Sequence, residues 1–158
     1  MSKSDKLFHK RGFTFIEVSI VIGIILLVGG VVSFYFSQLN KSQSLDKDAL
    51  SALSVLNEAR SSAMSAKDFS DYGVHFTSNS YTFFKGSVFV YNDANNVTYN
   101  EDDSISISSI ALGGGSDVVF KKVTGETDDN GSLIFSLTND PTKYQTITIF
   151  ATGATEKN

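Results

Sequence analysis

The stretch Lys10-Arg11-Gly12-Phe13-Thr14-Phe15-Ile16-Glu17-Val18 decides how this 158-residue chain is read. Two cations and a glycine precede an apolar run that continues to Phe36 with Glu17 as its only charged residue. Phe13 to Phe36 is 24 residues, or roughly 36 Å as a helix, against a hydrocarbon core of about 30 Å. The run is therefore long enough to span a bilayer. A cleaved secretory signal, the rival reading, has an apolar core of about 7–15 residues and a small-residue cleavage site after it. Here the run is longer, no Ala-x-Ala follows it, and a carboxylate lies near its start.

Charge divides the chain at the same place. Lys3, Lys6, Lys10 and Arg11 against Asp5 give residues 1–12 a net +3; the whole chain carries −4, so residues 13–158 carry −7. A basic segment beside a spanning helix is the pattern of cytoplasmic retention. An acidic remainder opposes a nucleic-acid surface, which needs clustered Lys and Arg. With no cysteine there is no disulfide, thiolate metal site or cysteine nucleophile. The single proline, Pro141, leaves the N-terminal half free for a long helix.

Glu17 is the informative residue. A charged side chain at mid-bilayer costs roughly 2.5–3.5 kcal/mol on insertion scales, less near the interface, and usually has a partner. A cut after Gly12 would free the amine of Phe13, whose ordinary pKa is about 7.7–8.0. That amine could pair with Glu17 of a neighbouring chain. The plainer reading is that Glu17, one turn inside the run, reaches the headgroups.

The helical pattern continues past the apolar run. Leu45, Ala49, Ala52, Leu56, Ala59, Ala63 and Ala66 recur at spacings of four and three, which places them on one stripe of an amphipathic helix. Small alanines on that stripe allow a sheet to pack closely. A break near Gln38–Ser44, giving two helices, is the alternative. After Asp71 the pattern changes to period two: Val74 and Phe76, Tyr81–Phe84, Val88–Tyr91, Ile105 and Ile107, Val118–Val123, Leu133–Leu137 and Ile147–Phe150. These predict six or seven short antiparallel strands. Asp128-Asp129-Asn130-Gly131 reads as a hairpin turn, and Gly113-Gly114-Gly115 as a flexible connection.

The junction resembles the prepilins of type IV pili and the pseudopilins of type II secretion and competence systems. Gly12-Phe13-Thr14-Phe15-Ile16-Glu17 with a following apolar helix is similar to that family's cleavage signature. The resemblance implies cleavage between Gly12 and Phe13 and N-methylation of Phe13 by a prepilin peptidase, and an assembly role for Glu17. One departure is the missing proline near the membrane end of the helix, for which Gly29-Gly30 could supply local flexibility. A looser resemblance, to minor pseudopilins of the GspH/FimT type, rests on Leu53–Phe76, Phe84-Lys85-Gly86, Val88-Phe89, the Asn/Asp loop after Tyr91 and Thr152-Gly153. Some FimT-like proteins bind DNA through arginines after this glycine; here Ala154, Thr155 and Glu156 follow, so nucleic acid is not an expected partner.

Other candidates are weaker. Asp93, Asn95, Glu101, Asp102 and Asp103 crowd one segment read as a loop, and Asp93, Asn95 and Asp102 are candidate calcium ligands, although the EF-hand spacing is not met. A solvated turn is the plainer reading. Loss of the leader removes His9 and leaves His75, read as exposed strand decoration; no hydrolase elbow, Walker loop or metal-ligand spacing points to an enzyme. Arg60 and Lys67 could contact another subunit or stay solvated. Tyr81, Phe83, Phe84, Phe89 and Tyr91 form either a core face or an interface. Three Asn-x-Ser/Thr sequons, beginning at Asn40, Asn96 and Asn130, are expected by chance in so Asn/Ser/Thr-rich a chain.

The expectation is an α+β, pilin-like fold: a long N-terminal helix, transmembrane in its first half, packed on a C-terminal antiparallel β domain. Residues 1–12 form a leader, 13–36 the transmembrane and assembly helix, 37–68 its amphipathic continuation and 69–158 the β domain. No cofactor is expected. What the resemblance implies is a minor subunit of a pilus, secretion or competence filament, first single-pass in the inner membrane with its N-terminus cytoplasmic. Its partners would be the prepilin peptidase, other pilin or pseudopilin subunits, an inner-membrane assembly platform and, before assembly, lipid. The alternatives are a filament-displayed DNA- or surface-binding module and an ordinary single-pass protein with an extracytoplasmic β domain.

Overall fold

A single helix, α1, runs Phe15–Met64, through the Gln38–Ser44 segment where a break was the alternative. The computed structural model describes residues 12–158, with residues 34–40 described by backbone alone; the basic leader and His9 lie outside the described residues. The chain divides into two units, Met1–Leu39 and Asn40–Asn158. In the first unit, Phe15–Ser33 has a mean hydropathy of 2.7 and none of it is buried. Its 19 residues are long and apolar enough to cross a membrane.

The second unit holds the remainder of α1, a 3-10 turn at Lys67–Phe69, and eight strands. These are β1 Tyr72–Phe76, β2 Ser80–Lys85, β3 Val97–Asn100, β4 Ile105–Leu112, β5 Asp117–Phe120, β6 Gly131–Leu137, β7 Asp140–Ile149 and β8 Thr155–Lys157. They form two antiparallel sheets, ordered β3-β2-β1-β5 and β4-β6-β7-β8. The stripe is the reason α1 packs where it does. Ala49, Ala52, Leu56, Ala59 and Ala63 are wholly buried in one cluster with Val74, Val118, Phe120, Leu133, Phe135 and Ile147 from both sheets. Alanine brings the helix backbone near the sheets, and the branched and aromatic strand residues fill the space between them.

The stripe stops short of Ala66, which has φ 48° and ψ 36°, a left-handed conformation that ends the helix. Asp68 and Phe69 also have positive φ. The Val123 N–H caps the helix end by donating to the Ala63 carbonyl. The C-terminal strand is tied back to α1 by an ion pair between Lys157 and Asp46 and by a Thr155–Asn57 hydrogen bond.

Three strand-level expectations are corrected. Val88–Tyr91 is not a strand: Val88, Val90 and Tyr91 are exposed, while Phe89 folds onto the outer face of the first sheet. A strand does occur at Val97–Asn100, so Asp93 and Asn95 are separated from Glu101, Asp102 and Asp103 by β3. The Asp128–Gly131 segment is not a hairpin, because β5 and β6 belong to different sheets. Gly131 serves another purpose: a Cβ there would strike the Ala111 carbonyl of the adjacent strand. Gly113–Gly115 is likewise held in place, by bridges from Leu112 to Gly115 and from Gly114 to Asp117.

Candidate functional site

The start of α1 is built by Thr14. Its Oγ1 accepts the Glu17 N–H at 3.3 Å, and its carbonyl accepts the Val18 N–H at 3.2 Å. Thr14 is thus the N-cap and Glu17 the third helical residue, the Thr-x-x-Glu spacing of a capping box. Glu17 also lies in the first turn, where the helix dipole favours an anion. Among the described residues the reciprocal bond from the Glu17 carboxylate back to Thr14 is not made. The carboxylate is therefore left available on the exposed face of the helix.

Phe13 and Glu17 share one face. With Val18, Val21 and Ile22 they line a shallow groove along the first turns of the helix, at the offsets that put residues on one stripe. Gly12, immediately before, is exposed, and nothing lies within 4 Å of where a Cβ would stand. Phe13 and Phe15 are almost fully exposed. Farther along, Ser19 and Ser33 donate to the carbonyls four residues earlier, so their hydroxyls are satisfied within the helix.

The other candidates sort differently. Arg60 is not a free contact residue: its Nη2 donates to the Thr152 carbonyl at 3.2 Å. It lies against Gly125 and Gly153, where a Cβ on Gly153 would collide with the Gly125 carbonyl. Lys67 is exposed. Asp93 Oδ1 accepts both the backbone and side-chain N–H groups of Asn95, and these bonds hold its carboxyl below the usual range. Asp102 Oδ1 accepts the N–H and hydroxyl of Ser104, with the same effect. Among the described residues no group of three or more His, Asp or Glu could hold a metal ion.

Glu101 behaves unlike its neighbours. Both carboxyl oxygens are buried without a hydrogen-bond partner among the described residues. Burial, and then the nearby Asp48 carboxyl, push it up to about 8. Asp48 in turn accepts the Asp102 N–H at 3.1 Å, joining α1 to the β3–β4 connection. Tyr81, packed in the same region, is pushed up by burial and then by Glu101.

His75 is not exposed decoration. Its Nδ1 lies 2.5 Å from Asp117 Oδ1 on the neighbouring strand, and its ring stacks on Phe89 with centroids 4.0 Å apart. The aromatic residues divide: Tyr81 is in the core, Phe83 packs against it, and Phe84 is buried on the opposite face of the sheet, over Gly73. Neither the Thr14 cap nor the His75–Asp117 pair was expected from the sequence. The first has a readable signal in Thr14-x-x-Glu17; the second depends on a pairing 42 residues apart.

No protein-family model and no curated protein sequence matches the chain. Two solved structures do match in fold. The type IV minor pilin FimU of Pseudomonas aeruginosa aligns with a TM-score of 0.55 at 10% identity, covering 72% of this chain and 92% of that one. The minor pseudopilin EpsH from the Type 2 Secretion System of Vibrio cholerae aligns with a TM-score of 0.55 at 14% identity, covering 73% of this chain and 96% of that one. The fold is pilin-like: an N-terminal helix packed in its second half on antiparallel sheets.

Proposed function

We propose that this chain is a minor pilin or pseudopilin, a structural subunit rather than an enzyme, built into a filament through its N-terminal helix. The observation that carries the reading is the exposed stripe Phe13–Glu17–Val18–Val21–Ile22, apolar but for one carboxylate, on a helix whose Phe15–Ser33 stretch buries nothing within the chain. Before assembly that surface is covered by lipid, with the N-terminus cytoplasmic and the β domain on the outer side of the inner membrane. In the filament it is covered by the same helices of other subunits. A prepilin peptidase cuts between Gly12 and Phe13 and methylates the new amine. An inner-membrane assembly platform then receives the subunit. Type IV pilus, type II secretion and competence filaments all use this route, and the minor-subunit assignment rests on the fold shared with FimU and EpsH.

In this mechanism cleavage creates the cation that Glu17 lacks. The Phe13 amine of one subunit pairs with Glu17 of its neighbour, which offsets the cost of holding the acid in an apolar surrounding and fixes the stagger between helices. Glu17→Ala should leave processing intact but abolish recovery of the subunit in sheared filaments. Normal incorporation of Glu17→Ala would refute the pairing; loss of processing together with incorporation would move the role of Glu17 to the peptidase.

A further inference from the structure

The outer face of the first sheet, turned away from α1, carries a second built site. Asp117, His75, Thr82 and Thr98 stand opposite one another in register across β5, β1, β2 and β3. The 86–96 segment folds over this row instead of forming a strand, and walls one side of an open cleft of about 520 Å³. That volume lies within the range of small-molecule sites. Phe89 forms one wall, stacked on His75 and edge-on to Phe84, which is itself buried over Gly73. The wall is fixed from beneath, since a Cβ on Gly73 would strike the Phe84 ring.

The chemistry of the lining selects its ligand. Thr82 and Thr98 share one hydrogen bond between their hydroxyls at 2.9 Å, so one of the two O–H groups remains to donate. Asp93 uses Oδ1 for both Asn95 bonds and leaves Oδ2 as an acceptor. Asn96 donates its amide to the Val90 carbonyl at 2.9 Å and leaves its own carbonyl oxygen. His75 meets Asp117 through Nδ1, which leaves Nε2 as a second polar atom of the ring. Tyr91, 81% exposed at the mouth, offers a flat aromatic face with a hydroxyl. Asn92, beside it, takes a left-handed conformation, φ 62°, that turns the chain there.

Alternating donors and acceptors beside an aromatic face suit a ring that carries hydroxyls on its edge and C–H groups on its flat side. An apolar ligand would leave these polar groups unpaired, and an anion would meet Asp93 with no unpaired Lys or Arg in the lining to offset it. We infer that this pocket binds a neutral saccharide ring. The inference stands apart from filament assembly, since none of its residues lies on α1.

The test uses the full chain in lipid nanodiscs, because alkyl-glycoside detergents would compete. Saturation-transfer NMR and titration with glucose, galactose, N-acetylglucosamine and lactose should find saturable binding of at least one. Sialic acid, being anionic, should bind more weakly. Tyr91→Ala and Thr98→Val should each raise the Kd about tenfold or more, while Tyr144→Ala, an exposed tyrosine on β7, should leave it unchanged. The variants should keep the far-UV spectrum of the parent. Absence of saturable binding by all four neutral sugars overturns the inference. So does equal weakening by Tyr144→Ala, or binding that Tyr91→Ala and Thr98→Val leave intact.

Discussion

The two halves of α1 obey opposite rules. Over Phe15–Ser33 the residues are predominantly apolar and exposed on every side. Over Leu45–Ala63 one stripe of alanines and leucines is buried, and most of the other positions are polar. The second half satisfies its apolar surface within the chain, against two sheets. The first half has no such cover, and on the proposed reading obtains it from lipid and then from other subunits. A helix that is apolar all round calls for an apolar surrounding, whereas a striped one calls for a single packed face. The contrast makes substitutions in the two halves fail in different assays.

The sharpest break is at Leu56, wholly buried. Leu56→Ala should lower the stability of the second unit by about 2–5 kcal/mol in denaturant titration, whereas Ile25→Ala should change it by less than about 0.5 kcal/mol. Equal effects would erase the distinction. Next comes size on the stripe: Ala59→Leu should cost about 1–3 kcal/mol by overpacking, and Gly23→Leu in the first half should cost the fold nothing. Amide protection along β1 and β6 distinguishes the two.

Glu101 gives a smaller effect, visible only against pH. Its carboxyl holds a proton more tightly folded, at about 8, than at its ordinary value of 4.5. Stability is therefore full below about pH 4.5 and declines as pH rises toward the folded value, because the unfolded chain ionises first. Glu101→Gln should flatten this decline and gain about 1 kcal/mol at pH 8, allowing for partial solvent exposure. An unchanged pH profile would remove the buried acid from the account. The smallest effect is local: Thr14→Ala should loosen the first turn by about 1 kcal/mol, read as faster exchange of the Glu17 amide, with no change in the second unit.

The sequence made the helix legible because a four-and-three spacing of alanines and leucines has only one helical interpretation. Six of its seven stripe residues are buried, and the seventh, Ala66, is itself the left-handed residue that ends the helix. The strands were largely legible. Period two marks β1, β2, β4, β5, β6 and β7 and misses β3 and β8, but Val88 and Val90 alternate just as well and stay in solvent, since it is Phe89 that finds a partner. Asn130-Gly131 carries a turn signature, yet the glycine answers a close approach by Ala111, a long-range contact that local grammar does not encode. At the candidate assembly site Glu17 was read as an anomaly of charge, whereas the Thr14 cap was missed, although Thr14-x-x-Glu17 carries its signal. The pocket was not readable, because Asp117 joins the row only through a pairing 42 residues from His75, and the 86–96 segment that covers it has the alternation of a strand.

The central claim is that the first half of α1 enters a filament after the chain is cut at Gly12. Intact-mass measurement of the protein extracted from membranes tests it most directly. The account requires a chain that begins at N-methylated Phe13; a chain that retains Met1 through Gly12 would contradict it.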